Sequence, residues 1–296
     1  MRFAPSVLAL LAACGSSGST AFDAPQALDG PSGDTITDGK TDATAGGRQT
    51  ADQPDEVSGY QVHAIYAVAS DGTDRNYDTD GHIANSVASW NTWFGTASGD
   101  GRKFRLDTYN GALDITFVRL SETEQQLSDQ GAFIRDHIEN DLAAVGQIKA
   151  TKAYAVYYDG PTTFSCGGGA FPPGLIGHVG AFYLKGAIPS APTCDSNPWA
   201  PAGGAPHYRE FAMIHELFHV LGAAPLCAPH QVTSMNGHTS DGATDLMYAG
   251  NLPWNPSQLD IGHDDYFDTT SSTCLDIADS VFIDPLPPNA KKPPGW

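Results

Sequence analysis

His215-Glu216-Leu217-Phe218-His219-Val220-Leu221-Gly222 is the stretch from which the rest of the chain can be read. On a helix, residues four apart share a face, so the imidazoles of His215 and His219 can meet at one point. Neutral imidazole is a good zinc ligand. Glu216 stands beside the first of them, where its carboxylate reaches a water on the metal. Two ligands and a base so close together form a zinc-hydrolase arrangement. A helix without metal would account for Phe211, Ile214, Phe218 and Leu221, which follow helical periodicity and make an apolar stripe. It leaves the histidines unexplained, because Ala212, His215, Glu216 and His219 lie off that stripe. Gly222, followed by Pro225, stops the helix just past the second histidine.

The 296 residues suffice for one large domain with tails, and 41% hydrophobic content is compatible with a globular core. A net charge of −19 argues against a nucleic-acid partner and against electrostatic attraction to anionic lipid. With 32 glycines and 21 prolines, long loops are expected. Cys14 stands apart from Cys166, Cys194, Cys227 and Cys274. Those four allow three pairings, of which Cys166–Cys194 and Cys227–Cys274 is the simplest by proximity. Disulfides imply an oxidising compartment. Four free thiols or a second zinc site are the alternatives, and the absence of any C-x-x-C pair argues against the zinc site.

Met1-Arg2 and the apolar run 3–13 fit a secretory signal and are too short to span a bilayer. Leu11-Ala12-Ala13-Cys14 resembles the bacterial lipoprotein box, which implies cleavage after residue 13, lipidation of Cys14 and a membrane-anchored, extracytoplasmic protein. An ordinary signal peptide is the alternative. Residues 14–56, rich in Gly, Ser, Thr, Ala and Asp, read as a flexible acidic tether. Residues 285–296 read as a second disordered tail, with Trp296 able to dock.

Between the tails, residues 57–284 read as one domain. Residues 61–68, 152–158 and 178–184 read as strands, 103–109 and 113–120 as a hairpin closed by Asn110-Gly111, and Cys166-Gly167-Gly168-Gly169 as a Gly-rich loop. Helices are expected over 82–94, from 121 to 144, and over 207–221. The loop 71–81 is dense in oxygen donors. It suits either calcium, although Val87 stands where a closing glutamate belongs, or a helix start stabilised by Asp80. The fold class expected is α+β: a mixed, twisted sheet, an active-site helix, and a loop-rich C-terminal part.

His215, Glu216, His219 and Gly222, followed downstream by Asp245-Leu246-Met247-Tyr248, resemble the metzincin metallopeptidases, with Met247 at the Met-turn. The resemblance implies a zincin fold, one catalytic zinc ion and a third zinc ligand. The family places that ligand at the position of Pro225, which cannot bind metal. His230 and His238 are the remaining histidines before Met247. His238, followed by Thr239-Ser240-Asp241-Gly242, has the texture of the matrixin-type third ligand, so 223–236 reads as an insertion that a Cys227–Cys274 bridge would pin. His63, His82, His137, His178, His207 and His263 read as structural or exposed.

The resemblance implies a zinc endopeptidase acting on a peptide or protein as a monomer. His215, His219 and His238 would hold the ion, Glu216 would act as general base, and Met247 would floor the site. By the same analogy, the strand around 179–184 would pair with an extended substrate. Tyr248 directly follows Met247, one place short of where a Met-turn tyrosine would assist. Two rivals stand beside this reading: a non-catalytic surface module that keeps the fold, and a zinc amidase acting on cell-wall peptides. No serine-nucleophile elbow, phosphate loop or dinucleotide fingerprint is present in the sequence.

Overall fold

The computed structural model describes residues 48–186, 193–271 and 273–296. The signal segment, Cys14 and residues 15–47 of the expected tether lie outside the described residues.

The elements, in chain order, are β1 (Gln61–Val68), α1 (His82–Ala97), β2 (Lys103–Phe104), β3 (Thr108–Tyr109), β4 (Ala112–Leu113), β5 (Ile115–Arg119), α2 (Glu124–Ser128), α3 (Ile134–Ala144), β6 (Lys152–Tyr158), β7 (Gly167–Phe171), β8 (Leu175–Tyr183), α4 (Tyr208–Leu221) and β9 (Ile283–Asp284). Five strands form the main sheet in the order β5-β1-β6-β8-β7. β1, β5, β6 and β8 run parallel, and β7 pairs antiparallel at the edge. Every residue of β1 and β6 is buried, as expected of parallel strands covered on both faces. Alternation along β1 sends Val62, Ala64, Tyr66 and Val68 into the core shared with α1 and α4. Ile65 and Ala67 face a second core with Ile134, Ile138 and Leu142 of α3. The result is a mixed α/β, three-layer arrangement.

Three of these expectations change. The hairpin over 103–120 shrinks to β3 and β4, with Asn110 and Gly111 at positive φ. Phe104 pairs instead with Ile283, and β5 joins β1. The helix over 121–144 breaks at Gly131, where φ is +56°, giving α2 with a Thr123/Gln126 capping box and a separate α3. The third change concerns β8, which lies inside the sheet with both edges paired. The exposed edge belongs to β7, so the strand around 179–184 has no free edge for a substrate. At the start of α1 the Asp80 carboxylate accepts the His82 N–H at 3.0 Å, as the helix-start reading of this loop expected.

Both ends of the described chain lie against the domain. Arg48 pairs with Asp74 and with Asp78 (2.6 Å). Lys152, 1% exposed, holds Asp52 at 2.6 Å and Asp55 at 2.7 Å. Ordered packing therefore begins by residue 48 and not at 57. The Arg48 guanidinium also takes up the oxygens of the expected calcium loop, so Asp74 and Asp78 neutralise an internal cation. At the other end, Trp296 packs on His178 with ring centroids 4.1 Å apart and on Phe282 at 5.0 Å, so residues 285–296 are not a loose tail. Among the described residues, no helix is long and apolar enough to cross a membrane. Cys166 is bonded to Cys194 and Cys227 to Cys274, the proximity pairing, and such bonds point to an extracytoplasmic location.

Candidate metal centre

At the start of α4 the Glu210 carboxylate accepts the His207 N–H at 3.0 Å, and the helix ends at Gly222 with φ +88°. Its apolar residues Met213, Ile214, Leu217 and Phe218 are buried in the main core. The opposite side carries His215, Glu216 and His219 toward β7 and the C-terminal loops. The Nε2 atoms of His215 and His219 lie 3.0 Å from one another.

His238 completes the group. The three histidines each offer a ring nitrogen, and these atoms all lie within 4.8 Å of one another. The His238 ring centroid is 5.1 Å from His215 and 4.6 Å from His219. His230 is held elsewhere: its N–H donates to Asp265 Oδ1 at 2.8 Å, and its Nδ1 lies 3.1 Å from Asp265 Oδ2.

The rings are oriented from behind. His215 Nδ1 donates to the Leu246 carbonyl at 2.7 Å. That fixes its tautomer and leaves Nε2 as a lone-pair donor. His238 Nδ1 lies 3.2 Å from the Met235 carbonyl and 3.3 Å from that of Asn236. His238 Nε2 and His219 Nδ1 are buried with no hydrogen-bond partner. Burial drives the His215 imidazole down to about 3. Burial likewise lowers His219 and His238. All three are therefore neutral, the form that ligates metal. Burial pushes Glu216 up to about 8, against the pull of Arg135. A neighbouring cation would restore its carboxylate. Three neutral imidazoles, one with an orphaned inward nitrogen, fit a metal of the zinc type.

The edge strand closes over this helix at very short range. A Cβ on Gly167 would stand 2.5 Å from Glu216 Oε1, and one on Gly169 would stand 2.5 Å from the Glu216 carbonyl and 2.8 Å from His219 Cβ. Gly180 of β8 meets the same helix backbone, at 2.9 Å. Glycine is required here for close approach, so the run 167–169 is a strand and not a loop.

Met247 is fully buried in the core near the triad. The turn around it hangs on Asp245, which sequence reading had taken only as part of the turn. Asp245 Oδ1 accepts from Met247 N at 2.7 Å, Tyr266 Oη at 2.9 Å and Thr239 Oγ1 at 3.2 Å. Its Oδ2 accepts from Ile261 N at 2.9 Å. Trp254, also missed, packs on His215 at 5.5 Å and donates to the Leu246 carbonyl at 3.2 Å. The Tyr248 hydroxyl accepts from Leu252 N at 3.2 Å, which ties it to the following loop.

No protein-family profile matches the sequence, and no curated protein matches it as a relative. Among solved structures, the chain is similar to OgpA from Akkermansia muciniphila. A catalytically inactive form bound to an O-glycopeptide (glycodrosocin) substrate aligns at TM-score 0.38 and 15% identity, over 76% of this chain and 61% of that one. The wild-type form aligns at TM-score 0.38 and 16% identity, over 76% and 62%. A chaperone–substrate complex aligns at TM-score 0.30 and 13% identity, over 70% and 32%. The chain spans less than two thirds of OgpA's length, and a likeness this slight carries no weight for chemistry or substrate.

Proposed function

We propose that this protein is an extracytoplasmic, lipid-anchored zinc peptidase of metzincin type. His215, His219 and His238 would hold the ion and Glu216 would serve as general base. The observation that carries the reading is the convergence of three neutral imidazoles beside a buried carboxyl, next to an antiparallel edge strand. Bound zinc supplies Lewis-acid polarisation of a peptide carbonyl and acidifies water. Glu216 takes the proton of the attacking water and delivers it to the leaving amine. Its enclosure under Gly167 limits competition from bulk solvent. The free edge of β7 offers backbone donors and acceptors to an extended peptide. The turn through Met247 would floor the site, and it carries the Leu246 carbonyl that His215 bonds. Anchoring through Cys14 follows from the Leu-Ala-Ala-Cys box.

Glu216→Gln tests the reading. The variant should bind zinc as the wild type does and lose cleavage of a casein or peptide-library substrate. Unchanged turnover would exclude Glu216 as the base. Full zinc loading without cleavage by the wild type would favour a non-catalytic module.

A further inference from the structure

The two disulfides differ in what they enclose and in how far solvent reaches them. Cys166–Cys194 spans 28 residues, and its halves are 4% and 0% exposed. Cys227–Cys274 spans 47, with Cys227 exposed, Cys274 half-buried and the neighbouring Leu226 76% exposed. Disulfide exchange requires a thiolate to reach a sulfur, so access separates the two bonds.

The exposed bond closes a ring around the histidine that α4 does not supply. His215 and His219 stand on α4, upstream of Cys227, whereas His238, Asp245 and Met247 all lie between the two cysteines. Among the described residues, 227–274 contains no helix and no strand of a sheet. It is held by isolated bridges, Gln231 to Thr239, Thr239 to Tyr248 and Asp245 to Gln258, and by the bonds that converge on Asp245. A segment with so little regular structure of its own depends on the covalent tie at its two ends to limit its freedom. From Cys227 the restraint reaches the triad in two steps. His230 N–H is fixed on Asp265, and Val232 N–H donates to the His238 carbonyl at 2.9 Å. From the Cys274 side it reaches the end of α4. There Leu275 packs so closely on Gly222 that a Cβ on the glycine would lie 2.9 Å from it.

We propose that Cys227–Cys274 is a thiol-exchange site that a dithiol opens in the folded protein, and that opening it weakens metal binding by untethering His238. Cys166–Cys194 stays closed under the same treatment. The proposal rests on the reading of the triad as a zinc site. A thiolate of the dithiol attacks Cys227 Sγ, the Sγ–Sγ bond breaks, and Cys274 leaves as a thiolate that takes up a proton. The second thiol of the dithiol then attacks its own partner sulfur in the mixed disulfide and releases Cys227 as a thiol. Two electrons pass to the cysteine pair, and the dithiol ends as a disulfide.

The test treats folded, full-length, oxidised protein with dithiothreitol, removes the reagent without air, and alkylates with iodoacetamide. Peptide mass mapping should find the label on Cys227 and Cys274 and not on Cys166 or Cys194. Zinc competition against a chromophoric chelator should then show affinity at least ~10-fold below that of untreated protein, as loss of a support behind a ligand does. A sample re-oxidised in place of alkylation should recover it. Cys227→Ser with Cys274→Ser should bind zinc as weakly without any thiol and ignore dithiothreitol. Absence of label on Cys227 and Cys274, equal labelling of all four cysteines, or full labelling with unchanged zinc affinity overturns the proposal. Untreated protein that binds no zinc would overturn the triad reading beneath it. The wild-type labelling and competition decide even if the double variant misfolds.

Discussion

Replacing Asp245 should loosen the metal centre without touching a ligand. The carboxylate accepts from Met247 N, Tyr266 Oη and Thr239 Oγ1 on one oxygen and from Ile261 N on the other. Asp245→Ala strands four donors. At ~1 kcal/mol net for each bond, the loss is about 4 kcal/mol, a large part of the roughly 5–15 kcal/mol that holds a domain together. Asp245→Asn is more informative. Its amide oxygen can keep the three donors on Oδ1, but its NH2 then faces the Ile261 N–H, donor against donor. One bond is lost and one buried donor is stranded, at about 1–3 kcal/mol. The effect should reach the histidines. Leu246 O orients His215, and Thr239 N, next to His238, donates to Met247 O at 2.9 Å. Disturbing such supports typically costs ~10–100-fold in metal affinity. Urea unfolding of the metal-free protein gives the first quantity, and zinc competition against a chromophoric chelator gives the second. An Asp245→Asn protein within ~0.5 kcal/mol of the wild type, with unchanged zinc affinity, would refute the claim that Asp245 holds the turn.

His238→Ala should abolish stoichiometric zinc binding, whereas His230→Ala should keep one zinc per chain by metal analysis; the reverse pattern would make His230 the ligand. Gly169→Ala places a methyl against Glu216 and His219, so it should cost ~1–3 kcal/mol by overpacking and reduce peptide cleavage, as read by thermal melts and turnover. Acid should release the segment 48–56. Burial alone would raise Asp52, but hydrogen bonds from Lys149 and Lys152 outweigh it and hold the carboxyl below its ordinary 3.8. A depressed carboxyl contributes stability that is present above 3.8 and lost as pH falls through the folded value. Amide exchange over 48–56, corrected for intrinsic rates, should accelerate below that range, and exchange insensitive to pH would count against the ion-pair latch.

The central strands were legible to the residue. Residues 61–68 and 152–158 are continuous apolar runs because both faces of a parallel sheet are covered. The helix with His215 and His219 was equally plain, and the texture after His238 pointed to the histidine that the fold brings to the other two. What escaped depends on distant partners. Nothing near Phe104 indicates that it will pair with Ile283. The glycines 167–169 read as a loop because their strand character comes from the helix pressed against them, not from β propensity. Residues 48–56 lack apolar bulk and read as a spacer, yet ion pairs hold them. Asp245 is buried through donors supplied by residues 239, 247, 261 and 266, a set no local pattern announces.

The Arg48 and Lys152 contacts have a mechanical meaning. A pull applied to the chain upstream of Arg48 meets the guanidinium clamp on Asp74 and Asp78 first, and the Asp52 and Asp55 grip on Lys152 next. Only after both yield does load pass to β1, the strand flanked by β5 and β6. The segment therefore works as a strain relief, and drag on the upstream chain can be absorbed by peeling a few ion pairs at the surface before the sheet that positions the histidines is disturbed.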